Sequence, residues 1–119
     1  MEYIVISGQR PLSGSVMING AKNAAVAIIP AAIATGGVCV IDNLPNIEDV
    51  KIQANAIISL GGSCEFRDEH TLSIDSSNLS GYSMTYDQLK NMRGSYYFMG
   101  ALLGRFKRSE VPTPGGCNF

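Results

Sequence analysis

The chain has 119 residues, with 10 acidic and 9 basic side chains and a formal net charge of −1. That balance excludes a domain that holds nucleic acid through a bulk basic surface. With 45% hydrophobic and 16% charged residues the chain is no disordered polyelectrolyte, and its length suits one domain with a modest core.

Residues 3–7 (YIVIS) form a short apolar run and residues 15–19 (SVMIN) alternate, so both are expected as strands, with a turn at Gly8-Gln9-Arg10-Pro11 between them. Residues 23–34 are apolar nearly all round and read as a buried helix, interrupted by Pro30 and stopped by Gly36-Gly37. VCVI at 38–41 is the next strand. Asn46 is expected to cap a helix over 47–60, with Glu48 and Asp49 matching its dipole and Val50, Ala54, Ile57 and Ile58 facing inward. Lys51, Gln53 and Asn55 are expected to point elsewhere. Residues 63–67 and 71–75 read as an antiparallel hairpin with His70 solvated in its turn. A third helix is expected over 87–106, with Leu89, Met92, Tyr96, Met99 and Leu103 on one face. The tail, with two prolines and two glycines after Glu110, reads as loop. This order predicts an α/β (α+β) fold with a mixed sheet and helices packed on one face.

Cys39, Cys64 and Cys117 are an odd set without CxxC spacing, which gives neither a disulfide framework nor a zinc site, and the single His70 cannot complete a metal site alone. The start lacks a secretory leader. The apolar segment 24–34 falls short of the roughly 20 residues of a membrane span. The expectation is a cytoplasmic protein with no nucleic-acid or membrane partner.

Three places could carry chemistry. Gly20-Ala21-Lys22-Asn23 joins a strand to a helix start, where unpaired amides, the dipole and Lys22 suit a phosphate or carboxylate; the alternative is a solvated lysine beside an Asn cap. No Walker loop is present. Arg93 lies in an apolar stretch with Gly94 and Ser95 leaving room for a ligand, so it either clamps an anion or snorkels or pairs with a carboxylate such as Asp49. Cys117 sits in a Gly-rich loop, where a reactive thiol is placed, whereas Cys39 and Cys64 read as structural; an incidental loop cysteine is the alternative. Arg105, Lys107 and Arg108 are expected simply to match a helix C-terminus.

Taken together, Leu12-x-Gly14-x-Val16-x-Ile18-x-Gly20-Ala21-Lys22-Asn23-Ala24-Ala25 resembles the start of the bacterial UDP-N-acetylglucosamine enolpyruvyl transferases. Asn43-Leu44-Pro45 with Asp49-Val50, Leu60-Gly61-Gly62, Met92-Arg93-x-Ser95, Leu103-x-Arg105-Phe106 and Pro114-Gly115-Gly116-Cys117 follow in register. The related enolpyruvylshikimate-phosphate synthases carry Lys-Ser where this chain has Lys22-Asn23, and lack the PGGC loop.

The resemblance implies an inside-out α/β barrel domain. It also implies transfer of the enolpyruvyl group of phosphoenolpyruvate to the 3-hydroxyl of UDP-N-acetylglucosamine through a tetrahedral ketal, releasing phosphate. That reaction opens peptidoglycan precursor synthesis and needs no cofactor. By the same resemblance Cys117 protonates the methylene carbon and is the residue that fosfomycin alkylates. Lys22 binds phosphoenolpyruvate, Asn23 lies beside it, and Arg93 serves the nucleotide sugar. Residues 1–21 would pack on a second domain, and 22–119 form the first part of the substrate-cleft domain. Because family members are several times longer, the chain is expected to be an N-terminal piece, inactive alone, whose partner is the remainder of the enzyme. A non-catalytic remnant that binds nucleotide sugar or protein is the alternative.

Overall fold

The computed structural model describes residues 2–89 and 92–113, with Arg93 described by its backbone alone. Helix α1 is Lys22–Ala31 and runs on as a 3-10 turn at Ala32–Thr35, which Gly36 ends in the left-handed region at φ 70°. Pro30 lies inside α1 and has no N–H for the carbonyl four residues back, that of Val26. Gln53 supplies the missing donor: its Nε2 gives a 2.9 Å hydrogen bond to Val26 O from the neighbouring helix. This corrects the expected orientation of Gln53, which is fully buried.

Strand β1 (Val38–Ile41) leads to α2 (Glu48–Ser59). Ile47, not Asn46, occupies the cap position, and no side chain caps the helix; the acids Glu48 and Asp49 remain to meet its positive end. Val50, Ala54 and Ile57 are buried as expected, but Ile58 is 48% exposed because it falls one step off the stripe that continues to Leu60.

Strands β2 (Ser63–Phe66) and β3 (Leu72–Asp75) form the expected hairpin, with Ser63 opposite Asp75 and Phe66 opposite Leu72. β1 also pairs antiparallel with β3, Val38 opposite Asp75, and the order is β1-β3-β2. These three strands are therefore antiparallel throughout rather than mixed. β1 and β2 do run in the same direction, as a strand–helix–strand unit requires, but β3 inserts between them. Cys39, Ile41, Cys64, Leu72 and Ile74 face the helices, while Val38 and Val40 are exposed on the other side.

The long third helix is replaced by α3 (Tyr86–Leu89), a 3-10 turn at Arg93–Ser95, and α4 (Tyr96–Phe106). The break resets the helical phase. Leu89 and Met92 are buried, but Phe98 and Leu102 form the core face of α4, and Tyr96, Met99 and Leu103 are about half exposed. The basic residues at its end are individually engaged. Arg105 Nη1 donates to Ile33 O at 2.9 Å and its Nη2 to Ser77 O at 3.3 Å, tying α4 to the end of the first helical segment. Lys107 Nζ donates to Gly104 O, and Arg108 pairs with Glu110 at 2.6 Å over the Tyr82 ring.

Residues 2–20 contain no strand, contrary to expectation. Tyr3, Ile4, Val5, Ile6, Val16, Met17 and Ile18 are all at least 78% exposed. A strand needs a neighbour for its backbone groups, and among the described residues none lies beside these segments. The chain enters the packed region at Gly20, where a Cβ would lie 2.0 Å from Asn43 O. Among the described residues, no helix is long and apolar enough to cross a membrane.

Replacing Gln53 by Leu should lower unfolding free energy by about 1–2 kcal/mol in urea, because Val26 O is left unpaired in the core. In a Pro30→Ala background, where residue 30 regains its N–H, the same replacement should cost close to nothing. Equal costs in both backgrounds would contradict the assignment.

Candidate functional site

Three helix beginnings meet at one cavity of about 510 Å³. α1 contributes Lys22, Asn23 and Val26, the first turn of α2 contributes Asp49, and the entry to α4 contributes Gly94, Tyr96 and Tyr97. Ala21 stands at the cap of α1 without a side-chain cap bond, and the first turn of α1 has no acid. This disposes of an Asn cap at Asn23. The first ladder bond runs from Ala25 N to Ala21 O at 3.1 Å, so the amides before it lie outside the helical ladder.

Lys22 Nζ lies 2.7 Å from Asp49 Oδ2. The lysine side chain is 58% exposed and the aspartate 22%. A pair this open to water contributes no more than about 1 kcal/mol to stability. Among the described side chains, Asp49 thus meets Lys22. Sequence reasoning gave Asp49 dipole matching or a pairing with Arg93, not with Lys22, although its place in the ordered motifs was a signal that it belonged with Lys22.

Arg93 begins the turn that carries Gly94; its side chain lies outside what is described. Gly94 does two things. It lines the cavity, and it packs on α1, where a Cβ in its place would make ordinary contact with Val26 Cβ at 3.4 Å. Ser95 does not leave room for a ligand: it is fully buried, and among the described residues its Oγ has no hydrogen-bond partner. The Tyr96 and Tyr97 rings stack at 4.3 Å between centroids, and hydrogen bonding between the phenols raises the Tyr96 pKa. Periodicity put Tyr96 on one apolar face with Leu89 and Met92, so this aromatic wall was missed.

Cys117 and its loop lie outside the described residues. The chain is fixed shortly before them by Glu110 N to Tyr82 O at 3.0 Å and Met84 N to Glu110 O at 2.9 Å. Cys39 and Cys64 are half-buried against the core. Burial pushes the Cys64 thiol up to about 11. His70 is not solvated as expected; it is half-buried, its Nδ1–H donates to Leu44 O at 2.7 Å, and its carbonyl accepts from Leu44 N at 2.8 Å.

The family model described as EPSP synthase (3-phosphoshikimate 1-carboxyvinyltransferase) matches residues 6–119. The chain belongs to this family. Within it, the chain is 50% identical over 118 residues to UDP-N-acetylglucosamine 1-carboxyvinyltransferase 2 of Clostridium acetobutylicum, covering 98% of this chain and 28% of that protein. It is 48% identical over 118 residues to UDP-N-acetylglucosamine 1-carboxyvinyltransferase of Clostridium botulinum, again with 98% and 28% covered. The fold is similar to that of the enolpyruvyl transferase NikO from Streptomyces tendae, with a TM-score of 0.69 and 25% identity over 77% of this chain and 21% of that one. The chain thus spans 28% of the length of these curated relatives.

The Cys64 environment gives a pH test. The native thiol keeps its proton to higher pH than an unfolded one, so its contribution to stability is complete below about pH 9 and is lost as pH rises towards 11. Alkylation of Cys64 by iodoacetamide should be slow at pH 8 and rise about tenfold per pH unit up to that range. Rapid modification at pH 8 would contradict the burial.

Proposed function

We propose that this chain supplies the first part of the substrate-cleft domain of a UDP-N-acetylglucosamine 1-carboxyvinyltransferase, with residues 1–21 packing on a second domain. The supporting observation is the cavity where Lys22 and Asn23 meet Asp49, Gly94 and the Tyr96–Tyr97 pair. Such a cavity suits an anionic substrate. Helix-start amides and an exposed ammonium converge on it, and two further helix beginnings point their positive ends the same way.

In this reading Lys22 and the α1 amides hold the phosphoryl group of phosphoenolpyruvate, with Asn23 beside it, and Arg93 serves the nucleotide sugar. The sugar 3-hydroxyl oxygen bonds to C2 of phosphoenolpyruvate as its proton passes to a base from the remainder of the enzyme, while the C2–C3 π pair takes the Cys117 thiol proton at C3, yielding a tetrahedral ketal and a thiolate. The thiolate then takes a proton back from C3, the C2–C3 double bond re-forms, and the C2–oxygen bond to phosphate breaks with its electron pair leaving on phosphate. The reaction begins peptidoglycan precursor synthesis in the cytoplasm, and fosfomycin would act by alkylating Cys117. Catalysis needs groups held on both sides of a cleft, so residues 1–119 alone are expected to be inactive.

The test is a fusion of residues 1–119 to the remainder of the Clostridium acetobutylicum relative. It should release phosphate from phosphoenolpyruvate only when UDP-N-acetylglucosamine is present. Cys117→Ser should lower kcat by roughly 10²–10⁴-fold, as loss of a general acid does. Arg93→Ala should raise KM for the nucleotide sugar about tenfold or more and leave that for phosphoenolpyruvate unchanged, as loss of a charged contact does. A folded fusion that releases no phosphate would overturn the reading.

A further inference from the structure

We propose that Asp49 determines how tightly the cavity retains free phosphate: it is a resident competitor that holds Lys22 between ligands and so favours release. The purpose of this device rests on the transferase reading, whereas the device itself rests on the geometry of the pair.

Lys22 Nζ and Asp49 Oδ2 are 2.7 Å apart, and both residues line the cavity at the start of α1. Their exposures are unequal. The lysine is 58% exposed on a long flexible stem and can swing to an anion; the aspartate, 22% exposed, is short and held in the first turn of α2. The pair is too open to water to matter much for folding; Asp49 also meets the positive end of its own helix α2, but it does so from inside the cavity that Lys22 lines. The first turn of α1 carries no acid of its own, which leaves Asp49 as the anionic group facing the α1 amides among the described lining residues.

Two costs then fall on any anion that enters. It must take Lys22 from Asp49, which lowers the fraction of the protein ready to bind. It then sits within about 6 Å of the displaced carboxylate, and like charges at that range in a half-wet site weaken binding by roughly an order of magnitude. A transferase that frees phosphate where its phosphorylated substrate bound gains from both. Binding the ground state and the transition state equally tightly does nothing for kcat, and Lys22 swings back to Asp49 as phosphate leaves.

The test is titration of the 119-residue chain with inorganic phosphate by calorimetry, at an ionic strength of about 50 mM so that screening does not mask the effect. Asp49→Asn should bind phosphate about tenfold more tightly than the parent. Asp49→Ser, which also removes the charge and suits a helix start, should match it. Asp49→Glu should stay within about twofold of the parent. Adding Lys22→Ala to Asp49→Asn should abolish the gain. Equal or weaker phosphate binding by the Asn and Ser variants, both folded by circular dichroism, would overturn the proposal and make Asp49 a support for Lys22. Failure of those variants to bind at about 10 mM phosphate, which that ionic strength still accommodates, would overturn it too. Turnover by the fusion does not enter this measurement, so failure of the transferase reading and failure of this proposal are seen separately.

Discussion

Val26 is the point at which the rest of the structure is tied together. Its carbonyl, deprived of a helical partner by Pro30, is bonded by Gln53 of α2. Its side chain packs against Gly94 in the turn before α4. One helical turn earlier stands Lys22. A single residue therefore sets α1 against α2 and against the Arg93–Ser95 turn, and its other side forms part of the cavity. If either contact slipped, Lys22, Asp49 and the turn would no longer face a common space.

This arrangement resolves a conflict in the sequence. α1 is so apolar that it must be buried, yet its first residues carry a charged side chain and amides outside the ladder. Burying the middle of the helix between α2 and α4 while leaving its start at a cavity satisfies both demands. Because α2 and the turn before α4 also begin there, the cavity collects positive helix ends. Asp49 then offsets part of that field.

Much of this could be read from residue order. The β2–β3 hairpin, β1 and the span of α2 follow from short local signals, namely alternation, glycine pairs and acids at a helix start. Lys22 and Asn23 were legible as a candidate anion site because a strand-like segment, a glycine and a helix start adjoin there. What escaped depends on partners distant in sequence. Residues 3–7 and 15–19 have strand character but no neighbour, so alternation alone does not make them strands. Tyr96 and Leu103 were put on one face with Leu89 and Met92 because a continuous helical phase was carried across Met92, whose extended backbone breaks it. Gln53 looked like a surface residue; only the orphan carbonyl left by Pro30, four residues before it, gives it a reason to be buried. The roles of Cys117 and of the Arg93 side chain rest on the motifs alone.

The central claim is that the meeting point of α1, α2 and the turn before α4 is an anion site. Mapping backbone amide chemical shifts while phosphoenolpyruvate is added to the chain tests it most directly. The account predicts shifts concentrated at residues 22–25, 49–50 and 94–97, with the hairpin left undisturbed. Shifts centred instead on the groove lined by Ile47, Val50 and Phe66, with the start of α1 silent, would contradict it.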